Sequence, residues 1–242
     1  MTGVSKRFYH YAHRTTSLRE FFIRTVLRRP LQIRRACFSL EGLSLTIGRG
    51  ESVAFIGRNG SGKSTALRLI AGIYGPSAGE VMVAGCVAAV IELGAGFNPE
   101  LTGRENVELY GAVMGLQRRE IARHFDAIVA FAGLGAFVDE PVKYYSSGMQ
   151  ARLAFAVTVA VDPDVLLLDE VLAVGDASFR ERCLRRLERF RAGGGTLVVV
   201  SHDLQQVRRL CDRAVWLEGG RVRLQGPAGE VTRAYEAAAQ EG

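Results

Sequence analysis

Apolar residues along this chain come in short blocks. From Glu51 onward, strand-like blocks alternate with stretches of helical period, the pattern of an α/β domain on a mixed, mostly parallel sheet. Three blocks are nearly all apolar and each gives way to polar residues and then helix: Ser52 to Ile56, Val165 to Leu168 and Thr196 to Val200. Strands of this kind are buried on both faces, and their carboxyl ends open onto a ligand crevice. From Leu101 to about Leu134 the period is helical without a convincing strand, which predicts a helical subdomain inserted into the core. Beyond His202 the pattern predicts two short strands, around Trp216 and Leu224, and a final helix near Val231 to Ala239.

The N-terminal segment reads differently. Ser17-Leu18-Arg19-Glu20 has the Ser-x-x-Glu form of a capping box. Leu18, Phe21, Phe22 and Val26 then recur on one helical face, Arg19, Arg24, Arg28 and Arg29 fall largely off it, and Pro30 ends it. Residues 10–35 are therefore expected to form a basic amphipathic insertion. Of the 31 Lys and Arg residues, nine lie in residues 1–35 beside the single acid Glu20, so the formal charge of +6 belongs to this segment. Such an arm fits an anionic lipid surface, a membrane partner or nucleic acid; a helix covering its own domain is the plainer alternative.

The length, 242 residues, fits one large domain, and 48% hydrophobic and 23% charged residues exclude a disordered or collagenous chain. Cys37, Cys86, Cys183 and Cys211 are too far apart for a zinc knuckle or redox pair, which points to structural thiols in a reducing compartment. No apolar run approaches the roughly 18 to 20 residues of a spanning helix, and the first 30 residues lack a signal-peptide core. If the protein works at a membrane, another chain must supply the pore.

The candidate chemistry sits at the three strand ends. After the first comes Gly57-Arg58-Asn59-Gly60-Ser61-Gly62-Lys63-Ser64-Thr65, then the helical run Ala66 to Ala71, which fits G-x-x-x-x-G-K-[ST] in its strand-loop-helix context. The glycines let backbone N–H groups turn inward on a β-phosphate, and the helix aims its positive end at the same anion. Lys63 bridges the β- and γ-phosphates and Ser64 ligates Mg²⁺ in this reading. Only Lys6, Lys63 and Lys143 are lysines, against 28 arginines, so Lys63 is an exception in its own chain. The second strand ends in Asp169-Glu170, read as metal carboxylate and general base, and the third in Ser201-His202-Asp203, where His202 can contact the γ-phosphate and orient water.

Tyr145-Ser146-Ser147-Gly148-Met149-Gln150, leading into the helix Ala154 to Val161, resembles the Leu-Ser-Gly-Gly-Gln signature of ATP-binding cassette (ABC) ATPases; Ser147, Gly148 and Gln150 match, while Ser146 and Met149 depart. The resemblance covers almost the whole chain. It implies a P-loop NTPase fold of ABC type over residues 1–242, with residues 101–161 as helical subdomain, and a head-to-tail homodimer binding ATP and Mg²⁺, in which the signature of one copy contacts the ATP of the other. Asp176, in Ala173-Val174-Gly175-Asp176, matches the family's D-loop acid. Val4-Ser5-Lys6-Arg7-Phe8 is similar to the adenine-stacking segment, with Phe8 the candidate and Tyr9 the reserve; the strand before it reads as truncated to Met1-Thr2-Gly3. The family's γ-phosphate-sensing Gln has no counterpart in residues 90–106, where Glu92 is the nearest polar replacement and a further metal-site candidate.

Glu-Leu-Gly-Ala-Gly-Phe (92–97), Leu-Thr-Gly-Arg-Glu-Asn (101–106), the Tyr-Ser-Ser-Gly-Met-Gln signature and the basic insertion are similar to the polysaccharide-exporting branch, covering O-antigen, capsule and teichoic-acid transporters. This implies an ATPase at the cytoplasmic face of the bacterial inner membrane, bound to two copies of a separate permease, with no nucleic-acid partner. The 40 residues after His202 leave no room for the carbohydrate-binding β-sandwich of some relatives. The alternatives are a soluble ABC ATPase acting on nucleic acid or ribosomes, and a non-hydrolysing regulatory cassette, which the intact Lys63, Asp169, Glu170 and His202 disfavour.

Overall fold

The computed structural model describes residues 1–11, 33–91, 96–160, 162–170 and 176–240, with side chains described except at 10–11 and 33–37. Its main sheet has six strands in the order β5-β6-β7-β3-β8-β9: β5 (Val87–Val90), β6 (Val165–Asp169), β7 (Thr196–Val200), β3 (Ser52–Ile56), β8 (Arg213–Glu218) and β9 (Arg221–Pro227). All neighbours pair in parallel except the β8-β9 hairpin. A second, antiparallel sheet joins β2 (Ile33–Leu43), β1 (Thr2–Tyr11) and β4 (Ala78–Glu80).

The three apolar blocks are β3, β6 and β7, and every residue of β3 and β7 is buried. Alternation divides them between two cores. Ala54, Ile56, Leu166, Leu168, Leu197 and Val199 face one side, where they meet Phe155, Phe179, Leu187 and Val207. Val53, Phe55, Val165, Leu167, Val198 and Val200 face the other, with Val4, Leu40, Leu43, Ala66 and Leu67. The first layer comprises α4 (Ser147–Ala160), α5 (Ala177–Ala192), α6 (Leu204–Leu210) and α7 (Ala228–Gln240); the second comprises α1 (Lys63–Ile70) and the antiparallel sheet.

The expected helical region contains α2 (Gly103–Val113) and α3 (Arg118–Ala132), followed by two 3-10 turns and α4, around a core of Val107, Ile121, Ile128, Leu153 and Val157. Thr102 caps α2 in a reciprocal box with Glu105. Fully buried Asn106 donates to the carbonyls of Asn98, Leu101 and Thr102 and accepts from the Asn98 N–H, so it clamps the loop leading into the helix. Phe131, Phe155 and Phe179 bring α3, α4 and α5 together with ring centroids 5.6 to 6.2 Å apart.

One expectation is corrected. β1 does not stop at Gly3 but runs ten residues through Phe8 to Tyr11. Its inward positions include Lys6, whose stem is half-buried while its ammonium donates to the Gly75 carbonyl at 2.8 Å, which hid the period-2 pattern. β1 and β2 pair as far as Tyr11↔Ile33, so both ends of the expected insertion at residues 10–35 lie in paired strands. The amphipathic helix expected from Ser17 to Pro30 lies outside the described residues.

Cys183 and Cys211 are buried and burial pushes both thiols up to about 12, whereas Cys86 is exposed. In a Cys37→Ser background at pH 8, a disulfide reagent should therefore titrate Cys86 alone in the native protein and all the remaining thiols after denaturation, as read by absorbance of the released thiolate.

Candidate active site

The turn from β3 into α1 requires two of its glycines. A Cβ at Gly57 (φ +143°) would lie 2.2 Å from the Leu217 carbonyl oxygen, and one at Gly62 (φ +104°) 2.4 Å from that of Ser39. With both positions open, the loop closes on itself, and Gly62 starts α1 with no side-chain cap and no acid in the first turn. The helix N-terminus therefore keeps its N–H groups and partial positive charge for an anion. The Ser61 hydroxyl is buried without a hydrogen-bond partner among the described residues, a further polar group left for a ligand.

Lys63 is 6% exposed, and its ammonium donates to the loop carbonyls of Gly57 (2.8 Å) and Arg58 (3.1 Å). Desolvation lowers its pKa, opposed by Glu170 and Asp169. Burial raises the Asp169 carboxyl, opposed first by a hydrogen bond from the Ser64 hydroxyl at 3.2 Å. A hydroxyl and a carboxylate so paired are hard oxygen donors of the kind that hold Mg²⁺ jointly with substrate phosphates. Among the described residues no group of three or more His, Cys, Asp or Glu side chains is placed to hold a metal ion.

Glu170 follows β6 in the left-handed region (φ +54°), with its N–H donating to the Val200 carbonyl at 2.9 Å. A non-glycine residue held there costs about 1 to 3 kcal/mol and marks a position the surroundings over-determine. Its carboxylate lies 3.4 Å from His202 Nδ1, with the two side chains 44% and 72% exposed. Asn59, Gly60, Gly62, Lys63, Ser64, Thr65, Asp169 and Glu170 thus surround one cleft of about 430 Å³. A cavity of about 480 Å³ at the amino ends of β6 and β7 is lined by none of these groups, so the chemistry belongs to the former.

Other expected site residues stand apart. Phe8 packs edge-to-face on Tyr74 (5.4 Å), with the Lys6 ammonium 5.3 Å from both rings, while Tyr9 is 48% exposed. Ser147, Gly148 and Gln150 open α4 outside the cleft, Ser147 being exposed. Ser146, the departure from the signature, accepts from the Met149 N–H at 3.2 Å and caps the helix. Asp176 caps α5 by accepting from the Phe179 N–H at 2.8 Å, a bond that, with Arg152 and Arg182 nearby, holds its carboxyl below the usual range. Glu92 lies outside the described residues.

The sequence pattern of the family described as "ABC transporter" matches residues 40–173, more than half of the chain. This chain belongs to the ABC transporter family. Over 237 residues, 98% of this chain and 96% of the relative, it is 43% identical to the O-antigen export system ATP-binding protein RfbB of Klebsiella pneumoniae. It is 43% identical over 84% of its length to the teichoic acids export ATP-binding protein TagH of Bacillus cereus, of which it covers 37%. Among solved structures, the fold matches a dimeric ATP-binding cassette bound to ADP and Pi (TM-score 0.75, 24% identity, 94% of this chain and 97% of that one). It also matches cbiO1 of Clostridium perfringens (TM-score 0.65, 28% identity, 84% and 87% coverage).

Within this ABC fold, the sequence reading missed Ser39 and Ile91, which also line the cleft. Neither carries a local signal: Ser39 reaches the phosphate loop only through the pairing of β1 with β2. Because a methyl group at Gly62 collides most closely with the backbone carbonyl of Ser39, and also with the Leu40 side chain, Gly62→Ala should weaken MgATP binding at least tenfold by calorimetry, together with a lowered melting temperature.

Proposed function

We propose that this chain is the ATP-binding and ATP-hydrolysing subunit of a bacterial polysaccharide exporter, with lipid-linked O-antigen the foremost cargo and capsular polysaccharide or teichoic acid the others of the class. It works as a homodimer on two copies of a separate multi-spanning permease at the cytoplasmic face of the inner membrane. The observation that carries this reading is the end-to-end similarity to the Klebsiella O-antigen export subunit in a chain whose cleft assembles Lys63, Ser64, Asp169, Glu170 and His202. The relatives named are export subunits, which leaves the nucleic-acid alternative without support. Among the described residues no helix is long and apolar enough to cross a membrane, so transport through this assembly needs the permease.

In this mechanism the uncapped start of α1 and the Lys63 ammonium bind the β- and γ-phosphates of ATP, and Ser64 with Asp169 holds Mg²⁺. The cation supplies charge neutralisation on the phosphate oxygens. Glu170 accepts the proton of the attacking water, and His202, 3.4 Å away, orients the carboxylate and the γ-phosphate. Phe8 stacks on adenine. Ser147, Gly148 and Gln150, which lie outside their own cleft, together with Asp176 complete the site of the second copy. Residues 101–161 and the basic hairpin carry the closing motion to the permease.

Glu170→Gln should bind MgATP with affinity near that of the wild type and hydrolyse it at least about tenfold more slowly in a phosphate-release assay; unchanged turnover removes Glu170 as base. In the producing bacterium, Lys63→Ala should leave the lipid-linked glycan inside the cell, detected by surface immunolabelling against whole-cell extracts, and normal surface display would refute the export role.

A further inference from the structure

Ser39 enters the cleft through a defect in strand pairing. The β1-β2 register steps from Lys6↔Leu40 to Arg7↔Phe38, so two residues of β2 advance against one of β1 and Ser39 is the extra residue. A bulge of this kind bends the strand and re-aims the side chain at that position. Ser39 lines the cleft beside Thr65, with the two hydroxyl oxygens 2.7 Å apart. Its carbonyl oxygen also occupies the space that a Cβ at Gly62 would need. The strand that leads out of the basic N-terminal segment therefore touches the phosphate loop at two points.

The hydroxyl pair has an unspent donor. Two hydroxyls bring two protons, and the bond between them uses one. No other group among the described residues hydrogen-bonds to either oxygen. The second proton is available to an acceptor entering the cleft, and donation along a hydroxyl chain strengthens each bond in it. Acceptors entering beside Gly62, Lys63 and the start of α1 are anionic oxygens.

We propose that Ser39 is a nucleotide-binding residue, acting with Thr65 as a two-hydroxyl donor to a phosphate oxygen of the bound nucleotide. This rests on the reading of the cleft as a nucleotide site and adds a residue contributed by the β1-β2 hairpin, outside the phosphate loop. It also ties the strand that follows residues 12–32 to nucleotide occupancy, because a bound phosphate completes the hydrogen-bond chain that anchors β2 on α1.

The test is MgADP binding by titration calorimetry, which avoids turnover. Ser39→Ala should weaken binding about threefold to tenfold, the loss of one hydrogen bond in a charged site, and Ser39→Thr should restore it. Ser39→Cys, close in size to serine but a poor donor, should behave like Ser39→Ala and keeps the test intact if the alanine variant melts early. Thr65→Val should weaken binding to a similar extent, and the Ser39→Ala/Thr65→Val double variant should bind no more weakly than the worse single one, since both remove the same chain. Wild-type affinity in Ser39→Ala and Ser39→Cys, or penalties that multiply in the double variant, overturns the proposal. Lys63→Ala separates the two levels: if it abolishes binding while Ser39→Ala does not weaken it, the nucleotide site stands and Ser39 is removed from it, whereas a wild-type protein that binds no MgADP overturns both.

Discussion

The hydrogen-bonded register of β3, β7 and β6 brings three chemically different strand ends to one level. Phe55 and Asp169 both pair with Val200, so Gly57, His202 and Glu170 leave the sheet side by side although they are far apart in the chain. With alternate residues of each strand committed to opposite cores, a slip of one residue in β6 would move Leu166 and Leu168 to the wrong face and carry Asp169 away from Ser64. The same apolar alternation that stabilises the sheet therefore fixes the relative positions of these cleft residues. Close packing on both faces leaves little freedom for the strand ends to drift.

Much of this was legible in the sequence because it is local. The short apolar strands, the phosphate loop, the acidic pair and the histidine each occupy a few consecutive residues whose neighbours announce their context. What escaped depends on pairing between distant segments. From sequence alone β1 reads as short because Lys6 interrupts its apolar face, and the interruption makes sense only with the Gly75 carbonyl in place. Ser39 was invisible for the same reason: a bulge belongs to two strands, and nothing in Cys37-Phe38-Ser39-Leu40 alone shows that one residue is out of register.

Leu-Thr-Gly-Arg-Glu-Asn and the signature stretch each have a local physical role. In Leu-Thr-Gly-Arg-Glu-Asn, Thr102 and Glu105 cap α2 reciprocally, Asn106 spends its whole amide on the preceding loop, and Gly103 leaves room for the Tyr145 hydroxyl, which approaches within 2.2 Å of the position a Cβ would take. Ser146 in the signature supplies the cap of α4. Tyr145 and α2 thus connect the two stretches, so the two motifs belong to one local packing arrangement.

The exposure of Glu170 and His202 has an electrostatic consequence. At 44% and 72% accessibility the two side chains are in contact with bulk solvent, where two unit charges a few ångströms apart interact by only about 1 kcal/mol. The same charges in a partly water-excluded surrounding interact several times more strongly. Any surface that covers the mouth of the cleft therefore acts as a dielectric switch: without moving a single charged group, it raises the field that Lys63, the start of α1 and Glu170 exert on whatever lies between them.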